Sequence, residues 1–224
     1  MNAILFGASG MVGQGVLREC LLDPGIEKIL SIGRSATGQT NPKLTEVLHR
    51  DIADLTPIRD RLSGYDACFF CLGVSSVGMK EADYRHVTYD YAVGAARTLA
   101  ELNPGMTFCF ISGAGTDSAG RQMWARVKGE TENALLQMPF KAAYMFRPGF
   151  IQPLHGIQSK TALYRILYKI LAPLNPLLLK YLPKYATTSE ILGRAMIKAA
   201  RQGAPKRVLE SADINALLAH RRST

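Results

Sequence analysis

Gly7-Ala8-Ser9-Gly10-Met11-Val12-Gly13 constrains this chain more than any other stretch. It follows an apolar run, Ala3-Ile4-Leu5-Phe6, and leads into Val16-Leu17-Arg18-Glu19-Cys20-Leu21-Leu22, which reads as a helix. A strand, a glycine turn and a helix in that order make a phosphate cradle. Gly7 allows a tight turn off the strand, Gly10 lets a pyrophosphate approach the backbone, and Gly13 lets the helix pack close to the sheet. The N–H groups of the helix's first turn have no partner inside the helix, so they face the anion. The pattern points to a dinucleotide site.

A site for NAD usually places Asp or Glu at the end of the second strand, on the ribose 2′-hydroxyl. Here Lys28-Ile29-Leu30-Ser31-Ile32 reads as that strand, and it runs into Gly33-Arg34-Ser35 with no carboxylate. The guanidinium fork of Arg34 suits a 2′-phosphate, so NADP is favoured over NAD; the competing reading makes Arg34 a solvated loop residue. Asp51-Ile52, after a short strand near Thr45–His49, resembles the acidic-apolar pair that brackets an adenine, or else a helix N-cap before Leu55.

Apolar strand-like runs continue at 66–72, at 106–111 and at 142–146, and a helix is read over 81–101 with Val87, Tyr91, Ala95 and Leu99 on one stripe. Strands alternating with helices imply right-handed βαβ units in a doubly wound parallel sheet of Rossmann type. At 224 residues the chain suits one α/β domain, 1–224, and no low-complexity linker divides it. Residues from about 150 to 224 are expected to form a small helical C-terminal cap packed on the rest. The first strand starts so near Met1 that no signal or transit peptide is expected, which puts the chain in the cytoplasm.

Cys20, Cys68, Cys71 and Cys109 include a C-x-x-C pair, but that pair lies in an apolar strand, where residues three apart point to opposite faces. No second pair completes a zinc site, so no metal is expected and the thiols read as buried and free. Charge is uneven: residues 1–150 hold 15 Lys+Arg against 15 Asp+Glu, whereas residues 151–224 hold 12 against 3. Such a basic last third suits an anionic substrate, an acidic protein partner or a membrane surface met peripherally. Nucleic acid is the weakest of these readings, because no binding motif or interleaved aromatics accompany the charge. Oligomeric state is left open.

Gly7-Ala8-Ser9-Gly10, Cys71-Leu72-Gly73, Tyr89-Asp90-Tyr91, Ile111-Ser112-Gly113-Ala114, Val127-Lys128-Gly129-Glu130 and Phe146-Arg147-Pro148-Gly149 occur in one order. In that order they resemble the atypical short-chain dehydrogenase/reductases, and the Tat-interacting-protein oxidoreductase group in particular, well over residues 1–155 and loosely beyond. The resemblance implies that Leu72, Gly73, Pro148 and Gly149 join the glycine turn, Arg34, Ser35, Asp51 and Ile52 around an NADP. It also implies a Ser, a Tyr and a Lys beside the nicotinamide. The Tyr moves the proton as hydride moves, the Lys holds ribose hydroxyls and lowers the Tyr pKa, and the Ser orients the substrate oxygen.

Ser112 matches the serine and Lys128 the lysine, but the tyrosine's position, one helical turn before the lysine, holds Trp124. An indole N–H only donates and cannot cycle a proton as a phenol does. Trp124 is left to cover the nicotinamide or to wall the substrate, and a replacement acid has to come from elsewhere, with Tyr84, Tyr89, Tyr91 or a water on Ser112 as candidates. Tyr91 reads as core, and His86 and His155 read as isolated. Two functions follow: reduction of a small carbonyl compound with NADPH, or a cofactor-loaded sensor or scaffold that binds a protein partner without turnover. Sugar-nucleotide epimerisation ranks below both, since the chain is short for the substrate domain it needs.

In the last third, residues 161–171 carry a helical apolar stripe opposite Arg165 and Lys169, and read as a substrate-side cap or as a surface for anionic lipid or another subunit. Thr188–Arg201 and Leu209–Leu218 read as two helices, the first capped by Thr187, Thr188 or Ser189.

Overall fold

Runs of aliphatic and aromatic residues too short for helices pair side by side in a parallel sheet, and the amphipathic stretches between them cover its two faces. The computed structural model describes residues 1–157 and 184–219. The elements are β1 (Asn2–Phe6), α1 (Met11–Leu22), β2 (Lys28–Gly33), β3 (Leu44–Leu48), β4 (Ala67–Phe70), α2 (Glu81–Arg85), α3 (Tyr91–Leu102), β5 (Thr107–Ile111), α4 (Met123–Leu136), β6 (Ala142–Arg147), β7 (Phe150–Gln152), β8 (Ala186–Thr188), α5 (Ser189–Gln202), β9 (Val208–Glu210) and α6 (Ser211–Ala219). The main sheet has the order β3-β2-β1-β4-β5-β6-β9, all parallel, which is the doubly wound Rossmann order with one strand added. Strand order reverses between β1 and β4, and that switch point opens the crevice beside the glycine turn.

Alternation along the strands divides the core. Leu5, Phe69 and Phe146 face α1, α5 and α6, where Val16, Leu17, Cys20, Leu192 and Met196 meet them. Ile4, Phe6, Phe70, Phe108 and Phe110 face the other way, onto Leu99 of α3 and Leu135 of α4. The rings there are in contact, Phe6 with Phe70 at 5.2 Å between centroids and Phe108 with Phe140 at 5.1 Å. Each such side chain, fully buried, contributes about 1.5–3 kcal/mol relative to exposure. Cys68 packs in the second layer and Cys71 against the first, so the C-x-x-C pair is split across the sheet, and all four thiols are free.

The helix read over 81–101 is interrupted by a π-turn, His86–Asp90, between α2 and α3. Its wider turn shifts the inward face: Thr88 is buried and Val87 only half-buried, so the regular stripe through Val87 does not form, whereas Tyr91 does pack against the core.

Residues 184–219 pack on the nucleotide domain and are built into it. Thr188 caps α5, its hydroxyl accepting from the Ile191 N–H at 3.0 Å. The stretch read as a helix from Leu209 begins with a strand: Val208–Glu210 pairs with Met145–Arg147, and the helix starts only at Ser211. The backbone of residues 150–152 pairs with 186–188 as a second, two-stranded parallel sheet. This part is therefore a mixed strand-and-helix extension of the fold rather than a purely helical cap. The expected cap helix at 161–171 lies outside the described residues. Helices α1 and α5 cross closely, because a Cβ on Gly15 would lie 2.9 Å from Ser189 Cβ and one on Gly193 2.9 Å from Glu19 Cγ.

Candidate functional site: a dinucleotide crevice

Gly7 leaves β1 with φ +78, and a Cβ on it would lie 2.7 Å from Leu72 Cα, so both the turn and the neighbouring strand end require glycine. A Cβ on Gly13 would lie 2.0 Å from the Gly7 carbonyl oxygen, which is the close helix–strand packing expected of the third glycine. Gly10 donates its N–H to Gly7 O at 2.9 Å and is the N-cap residue of α1, with no side chain to cap it and no acid in the first turn. The first helical bond is Gln14 N–H to Gly10 O, so Met11, Val12 and Gly13 N–H have no helical acceptor. An anion-binding helix end is thus left open at the mouth of the switch point.

Around it lies a crevice of about 550 Å³. Of the residues expected there, Gly7, Ala8, Ser9, Gly10, Met11, Val12, Arg34, Ser35, Leu72, Gly73 and Lys128 line it. Gly13 lies behind the turn, and Asp51, Ile52, Ser112, Trp124, Pro148 and Gly149 are outside the wall. Asp51 is no helix cap either: its carboxylate accepts from Ala53 N–H at 3.0 Å, and the short 3-10 helix that follows, Thr56–Arg61, has Leu55 as its N-cap residue with no side-chain cap bond. Ser31, Ile32 and Gly33 of β2, Cys71, Val74 and Ser75 in the loop after β4, and Ile111 at the end of β5 line the crevice without having been assigned to the cofactor; they lie around the carboxyl ends of the strands, where the fold's own rule would have pointed.

The residues fit a dinucleotide. Gly73 is exposed, and a Cβ on it would meet nothing within 4 Å, so the protein's own packing does not demand glycine there. Arg34 is exposed at the end of β2 with no acidic partner among the described residues, and Ser35 Oγ lies 3.5 Å from Ser9 Oγ across the turn.

The catalytic side is differently arranged. Thr116 donates its hydroxyl proton to Gly113 O at 2.8 Å, so the 2.9 Å bond between Ser112 and Thr116 must carry the Ser112 proton. Ser112 is buried and its hydroxyl is spent inside the loop. Trp124 sits in the first turn of α4 with its N–H on Gln122 Oε1 at 2.6 Å, and its ring reaches towards Gly115. Tyr84 is buried and bonded to Thr88, Tyr89 lies under the Arg85 guanidinium at 4.5 Å, and Tyr91 meets His86 edge-on. None of the three lines the crevice. His86 and His155, read as isolated, each have a carboxylate partner, Asp90 at 3.1 Å and Glu190 at 2.8 Å, both pairs away from the crevice.

Lys128 alone of the expected catalytic residues reaches the crevice. Its Nζ donates to Ile111 O at 3.3 Å and lies 5.5 Å from the centre of the Phe110 ring. Burial lowers its pKa to about 8, and Glu132, one turn on, offsets that only partly. Glu132 is itself buried and held by Arg147 on β6, through Nε at 2.9 Å and Nη2 at 2.5 Å. Burial raises the pKa of the Cys71 thiol, so it stays protonated at neutral pH. Among the described residues no three His, Cys, Asp or Glu gather as metal ligands, and no helix is long and apolar enough to cross a membrane.

No family model matches the chain. Protein HTATIP2 of Rattus norvegicus is 26% identical over 153 residues, which are 67% of this chain and 62% of that protein. Protein fmp52-2, mitochondrial, of Aspergillus oryzae is 26% identical over 227 residues, covering 95% of each. The chain is a homologue of HTATIP2 and FMP52. These likenesses agree with the resemblance of its motifs to the atypical short-chain dehydrogenase/reductases. Among solved structures, the dTDP-glucose 4,6-dehydratase DesIV of Streptomyces venezuelae, with NAD and TYD bound, has a TM-score of 0.70 at 11% identity, over 93% of this chain and 74% of that one. The short-chain dehydrogenase/reductase YIR035C of Saccharomyces cerevisiae has a TM-score of 0.65 at 15% identity, over 97% and 98%. At such identities the likeness is one of fold.

Proposed function

We propose that the chain binds NADP(H) in the crevice and reduces a small carbonyl compound, with Trp124 where the usual tyrosine stands. The observation that carries this reading is the pairing, in one crevice wall, of an open helix end with an unpaired Arg34 and a half-buried Lys128. Met11 and Val12 N–H would hold the pyrophosphate, Gly73 would give it room, and Arg34 with Ser35 and Ser9 would hold the 2′-phosphate. The bound dinucleotide would supply the hydride. Calorimetric titration with NADPH and NADH, followed by assays on aldehydes and quinones, tests the reading; equal affinity for the two cofactors rejects the role given to Arg34.

A second reading, a cofactor-loaded sensor or scaffold without turnover, is favoured by the committed hydroxyl of Ser112 and the averted Trp124. Its partner would be an acidic protein meeting the basic last third. In the described part of that region Arg194, Arg201 and Lys206 already face Glu190, Asp23 and Asp213, whereas Lys184, Lys198 and Arg207 have no carboxylate partner among the described residues and remain available to an acidic partner. Salt-sensitive binding to acidic protein, or to anionic rather than neutral vesicles, tests that role. The proposal includes a cytoplasmic setting, supported by the four free thiols, whereas the fungal relatives are named mitochondrial; fractionation decides.

A further inference from the structure

A reductase of this kind must protonate the oxygen of its product, and the group that usually does so is missing here. The other candidates of the expected catalytic set are occupied or lie outside the wall. The Ser112 proton is on Thr116, the Trp124 N–H is on Gln122, and the three tyrosines on or beside the π-turn lie outside the wall. Of the ionisable groups that do line the crevice, the Arg34 guanidinium does not give up a proton, and Cys71 holds its own. That leaves one.

Resting on the oxidoreductase reading, we propose that Lys128 is itself the proton donor, its ammonium taking over the part that a phenol plays elsewhere in this fold. Its position supports this. The Nζ bond to Ile111 O is long, at 3.3 Å, and uses one of three protons, so the others can point into the crevice. The charged groups around it are few: Glu132 on its own helix, already neutralised by Arg147 from β6, and from β5 only the Ile111 carbonyl and the Phe110 ring. An amine so placed exchanges its proton near neutral pH, which a surface lysine does not. In the step, the Lys128 ammonium gives a proton to the carbonyl oxygen as hydride from the reduced dinucleotide arrives at the carbonyl carbon. The C=O π pair becomes the new O–H bond, the carbonyl is reduced and the dinucleotide oxidised, and water at the crevice mouth reprotonates the amine.

The test compares the full chain with Lys128→Arg and Lys128→Gln. NADPH binding is measured by calorimetry at pH 8 in two buffers of different ionisation enthalpy. An anion entering beside a partly titrated amine raises its pKa, so the unaltered chain should take up a measurable fraction of a proton on binding, and Lys128→Arg none. Lys128→Arg keeps the charge and should hold NADPH within a few-fold, yet lose about 10²- to 10⁴-fold in aldehyde turnover, as Lys128→Gln should. Turnover by the unaltered chain should fall tenfold per pH unit above the amine's pKa. Retention of turnover by Lys128→Arg, a flat profile from pH 6.5 to 9.5, or NADPH binding without any turnover each overturns the proposal. Failure of the unaltered chain to bind NADPH overturns the cofactor reading instead.

Discussion

The two sides of the crevice are built on opposite principles. On the β1–β2 side polar groups are left without partners, the amides opening α1 and the guanidinium of Arg34, and beside them, after β4, Gly73 leaves open space. On the β5–α4 side almost every polar group has found one: Ser112 with Thr116, Trp124 with Gln122, Glu132 with Arg147. Unsatisfied groups are costly when buried and cheap at an open mouth, where water holds them until a ligand does. The open side therefore suits the binding proposed for it. The closed side leaves only the Lys128 amine on the crevice wall and fixes the groups around it.

The strongest way to break this contrast is to open the closed side. Arg147→Met strands the buried Glu132 carboxylate, and urea unfolding should show a loss of about 3–5 kcal/mol. A loss under about 1 kcal/mol would mean that Glu132 can take Lys128 as its partner instead, and that the closed side is looser than its hydrogen bonds suggest. On the open side, Arg34→Ala removes a charge-assisted contact of about 1.5–3 kcal/mol, so the preference for NADPH over NADH should shrink roughly ten- to a hundredfold in calorimetry while the melting temperature stays put.

Gly73→Val sharpens the comparison further, since the new side chain meets open space rather than protein. Stability should move by no more than about 0.5 kcal/mol, as for other surface changes, while NADPH affinity falls at least about tenfold. Unchanged affinity would place the dinucleotide away from this flank. The smallest expected effect is a gain. Trp124→Tyr returns a phenol one turn before Lys128, and slow aldehyde turnover should rise about tenfold or less, a fraction of what a well-placed acid supplies. A slower variant would show that the indole contributes by packing.

What could be read from the residues was whatever rests on local sterics. The glycine turn, the strand ends with Arg34 and Ser35, and the split C-x-x-C pair all follow from φ, Cβ volume and strand alternation, and all are where expected. Features that depend on distant partners were not legible. A three-residue strand such as Val208–Glu210 is defined by the β6 edge it joins, and its residues suit a helix equally well. The π-turn adds one residue to a helix with no glycine or proline to mark it. Ser112 was placed at the strand end but not its commitment to Thr116, because a hydroxyl's direction is set by a neighbour's own acceptor rather than by position in the chain.

The close crossing of α1 and α5 ties the order of synthesis to the order of function. The face that α1 turns away from the crevice is covered by α5, from Ser189 to Gln202, where Leu192 and Met196 join Val16 and Leu17 in one core. Helix α1 leaves the ribosome before the helix that covers it, so on the proposed reading a nascent chain stalled before Ser189 should not hold NADPH as the full chain does.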